Sequence, residues 1–172
     1  MQASDQVPGR RDEQFSALMQ AYAAEILRLC FFYMKEKTAA EDAMQETFLK
    51  AYRGLSGLKD EEQAKPWLIK IAVNTCRDAL KSAWLRHTDR RVTPEELPEA
   101  SAEFSPKDDS VVREVMKLKQ TQREVILLRF YQELSPEDCC AALGLTRSGF
   151  YRRQKRALNT LKKRLEGWDF DV

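Results

Sequence analysis

Apolar residues recur every three or four positions along most of this chain, which is the spacing of one face of an α-helix. The first such run predicts a helix from about Asp12 to Lys35. Its apolar face comprises Phe15, Leu18, Met19, Tyr22, Ile26, Leu29 and Phe32. The sequence of residues 38–41 is typical of a capping box that begins a second helix at Thr38. This second helix ends between Gly54 and Gly57, and a third is predicted from residues 64–66 to His87.

The helical pattern is interrupted over residues 88–108. This segment contains three prolines and no apolar periodicity, and residues 88–110 carry seven acidic and three basic side chains. Such a composition is typical of a linker. We therefore expect an N-terminal domain over residues 12–87, a flexible acidic linker over 88–108 and a C-terminal domain over 109–167.

Helical periodicity returns after the linker. Residues 111–118 and 121–134 form two amphipathic runs, and Ser135 followed by Pro136 predicts the capped start of another helix. That helix ends at Gly144, and Thr146 begins a long final one through Leu165. Two helices joined by so short a turn predict a helix-turn-helix. The expected fold class is all-α, with two small helical domains.

The adjacent Cys139 and Cys140 raise the alternative of a metal- or redox-active enzyme. Adjacent residues on a helix point about 100° apart, so these two thiols are poorly placed to share a metal ion or a disulfide. The sequence also contains a single histidine, His87. We therefore interpret Cys140 as the small residue at the helix crossing. No cofactor, metal or small-molecule substrate is expected.

The final helix carries the densest positive charge. Between Arg147 and Arg164 lie eight Lys or Arg residues and no acidic residue, which predicts a surface that binds phosphates. The candidate DNA-binding residues are Arg147, Ser148, Tyr151, Arg152, Arg153, Lys155 and Arg156.

Two polar faces stand out in the N-terminal half. On the second helix one stripe comprises Asp42, Gln45, Glu46 and Leu49; on the third, a row comprises Lys70, Asn74, Arg77 and Lys81. A di-metal site is the alternative for the carboxylates, but it needs Glu-x-x-His pairs, which one histidine cannot supply. Trp67 is a candidate stacking platform for a base, although a core anchor is the preferred interpretation.

Two stretches resemble a known family. The sequence QREVILLRFYQELSPEDCCAALGLTRSGFYRRQKRALNTLKKRL resembles the promoter-reading C-terminal domain of bacterial sigma factors. EDAMQETFLKAYRGL followed by KPWLIKIAVNTCRDAL resembles their N-terminal domain, which binds core polymerase and melts the promoter. Together, with only a short linker between them, they resemble the extracytoplasmic-function group of the sigma-70 family. The resemblance covers roughly residues 14–87 and 108–166.

The resemblance implies a function without catalysis. A protein of this group binds core RNA polymerase and directs it to promoter DNA. The stripe on the second helix would dock on the clamp helices of the largest subunit, and the C-terminal domain would contact the flap. The row on the third helix and the preceding loop, residues 55–63, would engage the minus-ten element and hold a flipped base. The final helix would read the minus-thirty-five element, and the linker would follow the RNA exit path.

The resemblance also implies an anti-sigma factor and a cytoplasmic location, either free or held at the membrane by that partner. The polar N-terminus and the absence of a stretch of roughly 18 apolar residues point the same way. The alternative function is a helix-turn-helix regulator that acts without replacing the sigma subunit. Two departures from the family pattern, Ser148-Gly149 and Gln154, lie in the final helix, so no family promoter sequence is transferred to this chain.

Overall fold

The computed structural model describes residues 8–84 and 109–165. The predicted linker 88–108 and His87 lie outside these described residues. The described segments are helical throughout, apart from short turns, and they form the two helical domains that the periodicity predicted.

The N-terminal domain contains three long helices. They are α1 (Pro8–Met34), α2 (Lys37–Gly54) and α3 (Ala64–Trp84). Between α2 and α3 the chain forms two single 3-10 turns, Leu55–Gly57 and Glu61–Gln63. Each helix packs against the other two, because each carries an apolar face. The buried side chains of these faces include Ile26, Leu29, Phe32, Phe48, Ala51, Leu68, Ile69, Ala72 and Cys76.

Helix α1 contains the most apolar stretch of the N-terminal domain. Its residues Gly9–Met34 are long and apolar enough to cross a membrane by length and composition alone, which the sequence analysis did not expect. However, its C-terminal part, including Phe31 and Phe32, is buried in the protein. We therefore assign α1 as the core helix of this domain.

The predicted capping box at Thr38 is wrong, since α2 begins one residue earlier, at Lys37. Its N-cap is Glu36, whose two carboxylate oxygens accept hydrogen bonds from the backbone N–H groups of Thr38 and Ala39, both at 2.8 Å. The physical reason is the backbone at Lys35, whose φ of 57° turns the chain sharply after α1. The next residue, Glu36, is extended and is therefore the one that can cap.

The C-terminal domain contains four helices, of which the first three are short. They are α4 (Asp109–Met116), α5 (Gln120–Ile126), α6 (Pro136–Leu143) and α7 (Arg147–Arg164), and α5 continues as a π-helical turn over Leu127–Tyr131. The predicted caps are confirmed: the Ser135 hydroxyl accepts from the N–H of Asp138, and the Thr146 hydroxyl accepts from that of Gly149. Gly144 closes α6 with a φ of 67°.

The two domains contact each other directly. Helix α3 packs against α6, and the ring of Phe32 in α1 lies 5.7 Å from that of Tyr131. The apolar cores of the two domains are therefore continuous across this contact.

The left-handed backbone of Gly144 leads to a matched pair of substitutions. An added Cβ would meet nothing within 4 Å at either Gly144 or Gly57, but only Gly144 has a positive φ. We expect Gly144→Ala to lower the free energy of unfolding by about 1–2 kcal/mol, because the cost comes from the backbone alone. Gly57→Ala should be neutral or stabilise by up to about 1 kcal/mol. Urea unfolding followed by circular dichroism measures both; equal effects would contradict the assignment.

A buried amide in α7 provides a second prediction. Gln154 is 8% exposed, and its Oε1 accepts no hydrogen bond. Gln154→Leu should raise the free energy of unfolding by roughly 1–2 kcal/mol, because it removes an unpaired polar atom from an apolar site. Gln20→Leu, at an exposed position of α1, is the control and should change it by less than about 0.5 kcal/mol. A destabilised Gln154→Leu variant would refute the proposed cost of the amide oxygen.

Candidate functional site

The outward face of α7 is cationic. One side of the helix is buried and comprises Phe150, Gln154, Ala157 and Leu161, at spacings of three and four residues. Gln154 is therefore a polar residue on the buried side of the helix. Most of the candidate DNA-binding residues lie on the other side and are exposed, namely Arg147, Ser148, Tyr151, Arg152, Lys155 and Arg156. Arg153 is half-buried. The helix-turn-helix thus presents one positively charged face to solvent.

The start of α7 is shaped by its cap. A Cβ on Gly149 would lie 3.0 Å from the Thr146 hydroxyl oxygen, closer than side chains ordinarily approach. The Thr146 hydroxyl is also 3.3 Å from that of Ser148. Glycine at position 149 therefore lets the cap sit tightly against the helix, which gives this departure from the family pattern a structural reason.

Arg147 is engaged by neighbours within the helix-turn-helix. Its Nη2 lies 3.3 Å from Oε1 of Glu137 in α6, although both side chains are well exposed. Its hydrogen bond to Tyr151 raises the pKa of the Arg147 guanidinium, and the negative charge of Glu137 adds to this effect. These contacts orient Arg147 and Tyr151 together at the surface.

The predicted stripe on α2 is exposed as a unit. Asp42, Gln45, Glu46 and Leu49 are all exposed, and Leu49 retains 52% of its accessible surface. The opposite side of α2 is buried and includes Ala43, Phe48 and Ala51. The stripe thus places two carboxylates, an amide and an apolar side chain together on the solvent-facing side of α2.

Sequence reasoning missed Tyr52, which extends the stripe by a further helical turn. It lies three residues after Leu49 and is 36% exposed. Its hydroxyl donates to Asp12 at 2.9 Å, and the guanidinium of Arg11 lies 4.6 Å from its ring centroid. The hydrogen bond with Asp12 raises the pKa of Tyr52. The spacing from Leu49 was the available signal.

The row on α3 is only partly exposed. Lys70, Asn74 and Lys81 point to solvent, while Arg77 is half-buried and contacts the C-terminal domain. Its Nε and Nη2 donate to the two carboxylate oxygens of Glu124 in α5, each at 2.9 Å, and its Nη1 donates to the carbonyl oxygen of Leu143 at 3.2 Å. The hydrogen bonds to Glu124 raise the pKa of Arg77.

The sequence analysis did not identify Glu124 as a partner of the α3 row. Its side chain is 3% exposed, and Nε2 of Gln120 lies 3.4 Å from one of its oxygens. The nearby phenol of Tyr33 has its pKa raised, first by burial and then by the negative charge of Glu124. The available signal was a carboxylate within the apolar run REVILL.

The cysteines are packing residues. Cys139 is fully buried, and burial raises its pKa to about 12, while Cys140 is half-buried. Cys139 is therefore the more deeply packed of the pair. Among residues 8–84 and 109–165 no group of three metal-ligating side chains comes together.

Two family models match the chain. Sigma-70 region 2 matches residues 18–86, and Sigma-70, region 4 matches residues 108–161. The first match contains α2 and α3 with their polar faces. The second contains the helix-turn-helix and most of α7.

Whole-chain relatives agree with these matches. The RNA polymerase sigma factor YlaC of Bacillus subtilis is 30% identical over 155 residues, covering 86% of this chain and 90% of its own. The ECF RNA polymerase sigma factor SigX of the same organism is 26% identical, covering 90% and 85%. The sigma factor RpoE of Bartonella quintana, solved with the anti-sigma factor NepR, has the same fold, with a TM-score of 0.77 at 19% identity, covering 91% and 99%.

Both family models match in the order that the helical domains have in the chain, and proteins named as RNA polymerase sigma factors align with nearly the whole chain. The protein is accordingly not an enzyme but a polymerase specificity subunit that directs promoter recognition. The chain belongs to the extracytoplasmic-function group of the sigma-70 family of RNA polymerase sigma factors.

Proposed function

We propose that this sigma factor binds core RNA polymerase through the exposed stripe of α2. The observation that carries the proposal is that Asp42, Gln45, Glu46 and Leu49 face solvent together, with a half-exposed leucine among the polar groups. Burying Leu49 against a partner recovers hydrophobic free energy, while the carboxylates select a basic surface. The clamp helices of the largest polymerase subunit are the partner that the family implies.

The minus-ten element would be bound by α3 and the loop before it. Lys70 and Lys81 offer cations to backbone phosphates, and Asn74 offers an amide that can hydrogen-bond a base edge. The polar residues of the loop 55–63 are exposed, so a base extruded from the non-template strand can reach them. Trp67 is half-buried and packs against the core, which favours its role as an anchor.

The minus-thirty-five element would be read by α7. Arginine can pair bidentately with guanine in the major groove, whereas lysine and tyrosine more often hold phosphate. Exposed residues near the start of α7, Arg147, Ser148 and Arg152, are therefore the candidates for base contacts. Lys155 and Arg156 are the candidates for phosphate contacts. The C-terminal domain would also contact the polymerase flap.

An anti-sigma factor is the remaining partner in the proposal. The similar RpoE of Bartonella quintana was solved in complex with one, NepR. By the same analogy this chain would work in the cytoplasm beside the polymerase. The α2 stripe is the surface whose occlusion would silence it.

The α2 stripe gives the test of polymerase binding. Asp42→Arg should weaken binding to core polymerase at least about tenfold, because it places a cation against a basic partner surface. Glu13→Arg, which reverses an exposed carboxylate on α1, is the control and should bind as the wild type does. Surface plasmon resonance on immobilised core enzyme measures both.

Unchanged polymerase binding by the Asp42→Arg variant would refute the assigned surface. The alternative, a helix-turn-helix regulator that leaves the sigma subunit in place, makes the opposite forecast. It requires tight binding of the free protein to duplex promoter DNA, which Asp42→Arg would leave intact.

Helix α7 gives the test of promoter reading. Lys155→Ala should weaken the binding of holoenzyme to all promoter fragments alike and lower the salt slope by about one, because it removes a phosphate contact. Arg152→Ala should instead relax the selection at one base pair, at a cost of about 1–3 kcal/mol. Lys119→Ala, an exposed cation outside α7, should do neither.

The measurement is selection of fragments from a pool randomised in the upstream half of the promoter, followed by titration at several salt concentrations. Wild-type selectivity in the Arg152→Ala variant would remove that residue from the reading surface.

A further inference from the structure

We propose that the two domains of the free chain form a closed state in which Glu124 holds Arg77 and keeps it from promoter DNA. The inference rests on the proposed function of the α3 row. It concerns an interaction surface on α3 whose partner is the C-terminal domain of the same chain.

Every nitrogen of the Arg77 guanidinium takes part in the contact between the domains. All three nitrogens of Arg77 donate to the C-terminal domain, two of them to the carboxylate of Glu124 and the third to the carbonyl of Leu143. This paired geometry is the strongest that arginine makes with an anion. Arginine grips a phosphate with the same fork, so the carboxylate occupies the place that a DNA phosphate would take.

The carboxylate of this contact is shielded from water, whereas the Arg77 side chain keeps 28% of its accessible surface. Glu124 is 3% exposed, and the buried Tyr33 of α1 lies next to it. On one side α3 packs against α6, and on another Phe32 contacts Tyr131. A pair inside such an interface is screened by salt much less than a surface pair.

The closed state and the DNA-bound state exclude each other. Arg77 shares its row with Lys70, Asn74 and Lys81, which remain exposed in the closed state. A DNA strand lying along this row must replace Glu124 at Arg77, and α6 must leave α3. Meanwhile the α2 stripe stays exposed, so polymerase can bind before the domains separate.

The first experiment measures the closed state without DNA. Small-angle X-ray scattering of the full-length free protein should give a radius of gyration near the roughly 16 Å of a compact chain of this length. Glu124→Gln and Arg77→Ala should each raise the radius by several Å, because either change breaks the pair. Glu114→Gln, which weakens ion pairs with Lys117 and Arg164 inside the C-terminal domain, is the matched control and should leave it unchanged.

Two variants guard against loss of folding. Glu124 is buried, so Glu124→Gln can disturb its domain, whereas Arg77 is only half-buried on α3. Circular dichroism and thermal melting report whether each variant keeps its helices. A folded Arg77→Ala variant that scatters as the wild type does would overturn the proposal.

The second experiment measures the competition. A fluorescein-labelled oligothymidylate strand should bind the free Glu124→Gln variant about tenfold more tightly than the wild type, as one released charged contact allows. In the Arg77→Ala background, Glu124→Gln should have no such effect, because the released cation is missing. Equal affinity of wild type and folded Glu124→Gln for the strand would overturn the proposed occlusion.

The proposed DNA-binding role of the α3 row is tested by separate variants. If Lys70→Ala and Lys81→Ala leave strand binding unchanged, the α3 row is not the DNA surface. The scattering results judge the closed state independently of that outcome.

Discussion

A carboxylate withdrawn from water needs cations and hydrogen-bond donors close by, and the docking of the two domains depends on how Glu124 meets that need. Its closest donors are two nitrogens of Arg77, each at 2.9 Å, and Arg77 belongs to the other domain. Removing the partner of a buried charge typically costs about 3–5 kcal/mol. The interior of the C-terminal domain is therefore coupled energetically to the position of α3, beside the apolar contacts that join the two cores.

This coupling distributes the working surfaces of a sigma factor unevenly. The stripe of α2 and the outer face of α7 are exposed, while Arg77 of the α3 row is half-buried against the C-terminal domain. The exposed surfaces are those proposed to find polymerase and duplex DNA. The α3 row, to which Arg77 belongs, is proposed to hold the melted strand, which exists only after polymerase has bound. The one residue of these surfaces that the C-terminal domain holds, Arg77, thus belongs to the surface that is proposed to act last.

The predictable part of the structure came from local signals. Helical periodicity and the caps at Ser135, Thr146 and Gly144 depend on residues close in sequence, and the structure has them as expected. The prediction of a capping box at Thr38 was wrong, because the left-handed turn at Lys35 makes Glu36 the N-cap. The pattern of residues within the helix does not indicate this turn. The residues of the α2 and α7 faces follow from the same periodicity. The pairing of Arg77 with Glu124 could not be predicted from periodicity, since it joins residues 47 positions apart in different domains.

The chemistry of this pair favours opening by exchange over opening by rupture. Separating Arg77 from Glu124 into an apolar interface would leave two uncompensated charges, which is the costly route. Replacing the carboxylate by a phosphate keeps the guanidinium fully paired, and the departure of α6 returns Glu124 to water. Each charge is then compensated before and after the exchange. The pair of Arg77 and Glu124 can therefore stabilise the closed state of the free chain. A nucleic-acid phosphate can still displace the carboxylate, because it can accept the same pair of hydrogen bonds from the guanidinium.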